Sequence, residues 1–175
     1  MNYYHDIKPG KKPPHDINVI VEIPKGQQNK FEYDKVNNLF RLDRVLFSPF
    51  HYPGDYGFVP QTLAKDGDPM DALVMISHPT YPGILIEARP IGVLKMIDSG
   101  EQDDKILCVS NNDIRFEDYR DIDDVKQPIL NEIAHFFQVY KQLEGKDVEI
   151  IGWKGVREAG QIILESMEAY RCRHI

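Results

Sequence analysis

Ile17-Asn18-Val19-Ile20-Val21-Glu22-Ile23, closed by Pro24, is the stretch on which the fold turns. It is rich in β-branched residues and stops at a residue that cannot donate to a sheet ladder, so it predicts a strand. More short extended patterns follow. Lys30-Phe31-Glu32-Tyr33 alternates with period two, which puts Phe31 and Tyr33 on one face and Lys30 and Glu32 on the other. Leu39-Phe40-Arg41-Leu42 follows the turn Val36-Asn37-Asn38 and completes a hairpin. Further strands are expected over residues 72–77, 84–97, 105–110 and 148–152, with Pro90 bending or bulging the long one. Two helices come last. Over residues 128–143, Ile129, Ile133, Phe136, Phe137, Tyr140 and Leu143 form a 3.6-period stripe, with Pro128 at its start and Gly145 just past its end. Over residues 154–171, Ala159, Ile162, Ile163, Met167 and Tyr170 share a face. Many short strands followed by two helices predict one mainly β α+β domain over residues 1–175. Its preferred form is a small closed barrel with the helices packed outside, entered through an irregular lead-in over residues 1–16 with three prolines.

Composition narrows the function. The chain has 175 residues, with 28 acids against 21 bases and a net charge of −7. A chain of this length buries roughly 70% of its unfolded surface and needs no disulfide or structural metal to fold. The acidity sits in the middle: residues 55–124 hold 15 acids and 6 bases, and the remainder 13 and 15. An acidic domain with no Lys/Arg run longer than Lys11-Lys12 argues against nucleic acid as a partner. No apolar stretch approaches 18 residues, and residues 1–14 lack a signal-type hydrophobic region, so neither membrane nor export is expected. Cys108 and Cys172 lie far apart and read as reduced thiols of a cytoplasmic protein.

The most informative stretch for chemistry is Asp66-Gly67-Asp68-Pro69-Met70-Asp71. Pro69 pushes Asp68 toward an extended backbone, where Asp66 and Asp68 would point the same way. The apolar run Ala72-Leu73-Val74-Met75-Ile76 would then anchor three carboxylates at its mouth. Two like charges about 5 Å apart repel by roughly 3 kcal/mol at an effective dielectric of 20. A cation or a shared proton relieves that, and oxygen-only ligands select a hard ion such as Mg²⁺, with Mn²⁺ as a substitute. On its own, such a turn is most often just a solvated acidic loop. Here a second acidic turn, Asp98-Ser99-Gly100-Glu101-Gln102-Asp103-Asp104, lies between two expected strands. Glu22 and Glu32 stand among apolar strand residues, and Lys30, Arg44 and Lys105 are interleaved with them. That is the composition of a phosphate-handling pocket. Neither an EF-hand nor an aspartyl-phosphate motif fits, because Met70 takes the fifth position and Ser77 the twelfth.

With its neighbours, this cluster resembles the soluble family I inorganic pyrophosphatases in their short prokaryotic form. Asp66-Gly67-Asp68-Pro69-Met70-Asp71-Ala72 satisfies the family signature. Val21-Glu22-Ile23-Pro24, Lys30-Phe31-Glu32-Tyr33-Asp34, Asp43-Arg44, Tyr52-Pro53-x-x-Tyr56-Gly57, Gly92-Val93-Leu94-Lys95-Met96 and His135-Phe136-Phe137 with Tyr140-Lys141 fall in register around it. The resemblance covers roughly residues 17–170. It implies a distorted OB-type barrel with the active site at its mouth. It also implies several Mg²⁺ ions per site and hydrolysis of pyrophosphate to two phosphates by direct attack of a metal-activated water, with no covalent intermediate.

The resemblance also implies roles. Asp66, Asp71 and Asp103 would hold the metal that activates the nucleophile, with Asp71 bridging to a second. Asp98 and Asp103 would carry a third with the substrate, and Glu32 a fourth. Asp68 would be the general base. Lys30, Arg44, Tyr140 and Lys141 would grip the phosphates, and Lys105 would neutralise charge on the opposite side. Tyr52 and Tyr56 would contact substrate or bound water, with Glu22 supporting from behind. Each has a plainer alternative: packed rings for Tyr52, Tyr56 and Tyr140, a solvated helix lysine for Lys141, a partner for a nearby Arg for Glu22. His135 reads as an interface or core histidine rather than a ligand, and Asp104 is expected to face solvent. A homo-oligomer, the homohexamer, is implied as well. Some bacterial members carry a second His and an Asp at intersubunit contacts on this helix, however, and this chain has Val139 and Gln142 there.

Overall fold

A computed structural model describes residues 1–174. Its strands are β1 (Ile17–Ile23), β2 (Asn29–Asp34), β3 (Leu39–Val45), β4 (Asp55–Phe58), β5 (Asp71–Met75), β6 (Leu85–Asp98), β7 (Glu101–Gln102), β8 (Lys105–Ser110) and β9 (Val148–Gly155). The helices are α1 (Gln127–Val139) and α2 (Val156–Arg173). β1 pairs with β4, β4 with β5, β5 with β8, β8 with β6, and β6 returns to β1. Five strands thus close into a ring in which only the β5–β8 contact is parallel. The long β6 continues beyond the ring to pair with β9 and β7, so the barrel is uneven and flared at one end. This is the mainly β barrel with two late helices that the strand pattern predicts, OB-like as the resemblance implies. β2 and β3 form a separate hairpin.

The strands read as apolar runs because both of their faces are covered. Leu73, Met75, Leu107, Val109, Leu94 and Met96 pack with Leu130, Ile133, Phe136 and Phe137 of α1. The alternate residues Ala72, Val74, Ile106, Cys108 and Val93 pack with Ala159, Ile163 and Met167 of α2. Pro90 bulges β6 as expected, with a register shift between Pro90 and Gly92.

One strand goes unforeseen, and two expectations are narrowed. β4 is a strand although Tyr-Pro-Gly-Asp-Tyr-Gly looks like a turn. It pairs closely with β1 because Gly57 lacks a Cβ, which would lie 1.9 Å from the Ile20 carbonyl oxygen. α1 ends at Val139, short of the stripe's end at Leu143, which is exposed. Residues 142–144 form a 3-10 turn closed by Gly145 in the left-handed region (φ 72°). His135 is exposed and so not a core residue, with its ring 6.0 Å from that of Phe50.

Candidate active site

At the flared end lies an open cavity of about 680 Å³. Its walls come from the β2–β3 hairpin, the acid-rich loop before β5, the turn between β6 and β8, and the end of α1. Each wall delivers charge for a local reason. In β2, Lys30 and Glu32 fall on one face and form an ion pair, as their spacing predicts. In β8 and its approach, Asp103 and Lys105 sit two residues apart and face the cavity together. Asp104, between them, points the other way. It is buried, not solvent-facing as expected, because Lys95 Nζ and Gln102 Nε2 each donate to it at 2.7 Å. Where α1 unwinds, Tyr140 and Lys141 are brought to the wall.

The Asp66–Asp71 segment turns rather than running extended. Gly67 adopts φ 89°, and the Asp68 N–H donates to Asp66 Oδ1 at 3.0 Å, an Asx turn. Asp66 and Asp68 therefore stand exposed at the rim, and Asp71 sits deeper at the start of β5.

Lysines stand between the carboxylates. Lys105 Nζ lies 2.5 Å from both Asp71 Oδ2 and Asp103 Oδ1. Burial works against its charge, but the two carboxylates overcome that and raise its pKa above the ordinary lysine value. Lys141 donates to Asp98; burial pushes that carboxyl up, and the lysine more than reverses it, leaving its pKa lowered. Lys35 Nζ meets Asp68 Oδ1 at 2.8 Å. On the floor, burial drives the Glu22 carboxyl up to about 8, against the pull of the Tyr33 N–H that donates to it at 2.7 Å. Burial also holds the Tyr56 and Tyr140 phenols well above their usual range, so both remain neutral donors at working pH.

Twelve of the residues singled out by sequence meet at this cavity: Glu22, Lys30, Glu32 and Tyr56; Asp66, Asp68, Asp71 and Asp98; Asp103, Lys105, Tyr140 and Lys141. Two lie behind the wall. Tyr52 is buried with its ring 4.8 Å from Phe136 and 5.4 Å from Tyr56. Arg44 donates through Nε to Glu144 Oε1 at 2.9 Å and through a second nitrogen to Asp43 at 2.5 Å. Lys35, Arg41 and Lys146 line the cavity without having been singled out. Their strand-alternation or turn positions were readable, but nothing marked them apart from solvated lysines and arginines. Glu144 was missed as well, its carboxylate being only 7% exposed.

The donor set is all oxygen and anionic, which suits a hard divalent ion. Among the described residues, no three acidic, histidine or cysteine side chains converge as a ready chelate. The bridging ammonium of Lys105 shows where the site favours positive charge, namely between Asp71 and Asp103.

Fold and cavity together define a small barrel protein with a densely charged mouth in which carboxylates alternate with lysines. The chain belongs to the inorganic pyrophosphatase family, whose model matches residues 19–171. It is 52% identical over 155 residues to the inorganic pyrophosphatase of Synechocystis sp., covering 89% of this chain and 92% of that one. The crystal structure of inorganic pyrophosphatase from Thermus thermophilus superposes with TM-score 0.95 at 39% identity, covering 98% of this chain and 99% of that one. A Trypanosoma brucei vacuolar soluble pyrophosphatase matches 99% of this chain but only 53% of its own length (TM-score 0.87, 29% identity), which places this chain with the short form.

Proposed function

We propose that this chain, as a single domain, hydrolyses inorganic pyrophosphate to two phosphates with Mg²⁺, and that the charged cavity is its active site. The observation that carries this reading is the convergence of Glu32, Asp66, Asp68, Asp71, Asp98 and Asp103 with Lys30, Lys105 and Lys141 on one barrel mouth. Asp66 from the rim, with Asp71 and Asp103 deeper in, would hold Mg²⁺, as would Asp98 and Asp103 beside the substrate and Glu32 at the hairpin. Bound there, the ions would acidify the attacking water and offset phosphate charge. Lys30, Lys141 and Tyr140 orient the phosphates, with Arg44 acting from behind Lys30, its neighbour across the hairpin. Tyr56, held neutral, donates a hydrogen bond toward the substrate, and Tyr52 packs beneath it. Asp68, exposed and free of the deeper carboxylate pairs, accepts the water's proton. Lys105 holds Asp71 and Asp103 in place, and Glu22 ties the floor to β2.

Phosphate release from pyrophosphate tests this. Full activity is expected with Mg²⁺, none in excess chelator, and a loss of about 10²–10⁴-fold in Asp68→Asn. Activity that survives chelation, or an Asp71→Asn variant as active as the parent, overturns it. No described helix is long and apolar enough to cross a membrane. We place the enzyme in the cytoplasm as a homo-oligomer, taking the homohexamer as its assembly. Light scattering on the eluting protein measures the assembly directly.

A further inference from the structure

Lys35 has no part in the mechanism above, yet its placement is more constrained than that of an ordinary turn lysine. It follows β2 in the hairpin turn. Asp34 Oδ1 accepts from the backbone N–H groups of Val36 and Asn37 at 2.9 Å each, and Asn2 Nδ2 donates to the Lys35 carbonyl at 3.2 Å. The backbone is therefore pinned from both sides and the side chain is sent into the cavity. Its ammonium lies 2.8 Å from Asp68 Oδ1 and 5.5 Å from the centre of the Tyr4 ring, within cation–π range.

Tyr4 is buried, and its hydroxyl donates to the Thr62 carbonyl at 2.7 Å. The Thr62 hydroxyl in turn accepts from the Met70 N–H at 2.9 Å. The aromatic seat for Lys35 is thus fastened to the base of the same loop that carries Asp68. The N-terminal segment, the hairpin and the acid loop all meet at one ammonium.

We propose that Lys35 is a positioning residue for Asp68, holding its carboxylate in a fixed direction while the Tyr4 face holds the lysine. The proposal rests on the reading of Asp68 as the general base. Asp68 is 70% exposed, and Lys35 is its one ion-pair partner among the described residues, so without Lys35 its rotamer is set by solvent alone. An exposed pair of this kind adds little to stability. Its effect therefore belongs in turnover rather than in folding.

The test is a double-mutant cycle on kcat and KM for Mg²⁺-pyrophosphate, using K35M, K35R, D68N and the K35M/D68N pair. We expect K35M to lower kcat about two- to fivefold, the range an exposed charge pair can supply. KM should stay within about twofold, K35R should restore most of the loss, and the melting temperature should stay near that of the parent. In the D68N background, K35M should have no further effect. A raised KM with unchanged kcat would make Lys35 a substrate-binding cation and overturn the proposal, as would an undiminished K35M effect on top of D68N. If D68N alone keeps the parental kcat, the assignment of Asp68 as base falls, separately from anything K35M does.

Discussion

At the scale of single residues, two positions outside the cavity carry much of the local order. Asp113 accepts from the Ser77 N–H at 2.7 Å and from the Arg115 N–H at 3.2 Å, capping the 3-10 turn that follows it. Hydrogen bonds from Ser77, then from Arg115, outweigh burial and hold its carboxyl at about 2, against an ordinary 3.8. A carboxyl depressed by folding adds stability that is fully present above the ordinary value and disappears as pH falls through the depressed one. Asp113→Ala should therefore cost about 1–2 kcal/mol at pH 7. In urea titrations its gap from the parent should close between pH 3.8 and 2. Gly57 is the second position. A methyl group there would strike the Ile20 carbonyl at 1.9 Å, and the obstacle is backbone. Gly57→Ala should cost at least about 2 kcal/mol, read as a lowered urea midpoint; an unchanged midpoint would mean that β1 and β4 can separate freely.

Among the elements, the contact between the β2–β3 hairpin and the end of α1 decides how the cavity walls stay in register. Glu144, in the turn after α1, takes the Arg44 Nε–H at 2.9 Å, and one other Arg44 nitrogen is buried without a partner. Removing the acid leaves Asp43 as the remaining carboxylate partner of the Arg44 guanidinium. Glu144→Ala should cost about 1.5 kcal/mol and lower the melting temperature by about 3–6 °C for a chain of this size. Glu144→Ala paired with Arg44→Met should recover part of that loss, since the half-paired guanidinium is then gone too. The sequence made most elements legible. β1, β5 and β8 are apolar and β-branched because both faces are buried, and the α1 stripe marks the face that packs on them. β4 was not legible: Asp55 and Gly57 read as turn residues. They serve a strand because Asp55 spends its oxygens on the Lys25 N–H and on Thr80, while Gly57 admits the neighbouring chain. The carboxylates of the site were legible from spacing and resemblance. Two of the cation–carboxylate pairings were not, since Lys35–Asp68 and Arg44–Glu144 join positions 33 and 100 residues apart.

At the scale of the whole molecule, the cavity concentrates negative charge that folding alone only partly offsets. Ligands that bind only the folded state stabilise it by mass action. Mg²⁺ at about a hundred times its dissociation constant should add about 2.7 kcal/mol, or roughly 5–10 °C in melting temperature. Asp71→Asn should lose most of that shift while keeping the fold, and an equal shift in both proteins would place the ion elsewhere. The same architecture sets how the molecule opens. β6 runs 14 residues and is hydrogen-bonded in turn to β1, β7, β8 and β9. No other strand touches as many neighbours, so none of them can peel away without breaking part of this one. Amide protons in its middle, around Val93 and Leu94, should exchange with solvent deuterium only when the entire chain unfolds. Those on the β2–β3 hairpin, which lies outside the ring, should exchange through smaller openings. The slowest-exchanging amides would then form one continuous line across the barrel, marking the segment that opens only with the whole molecule.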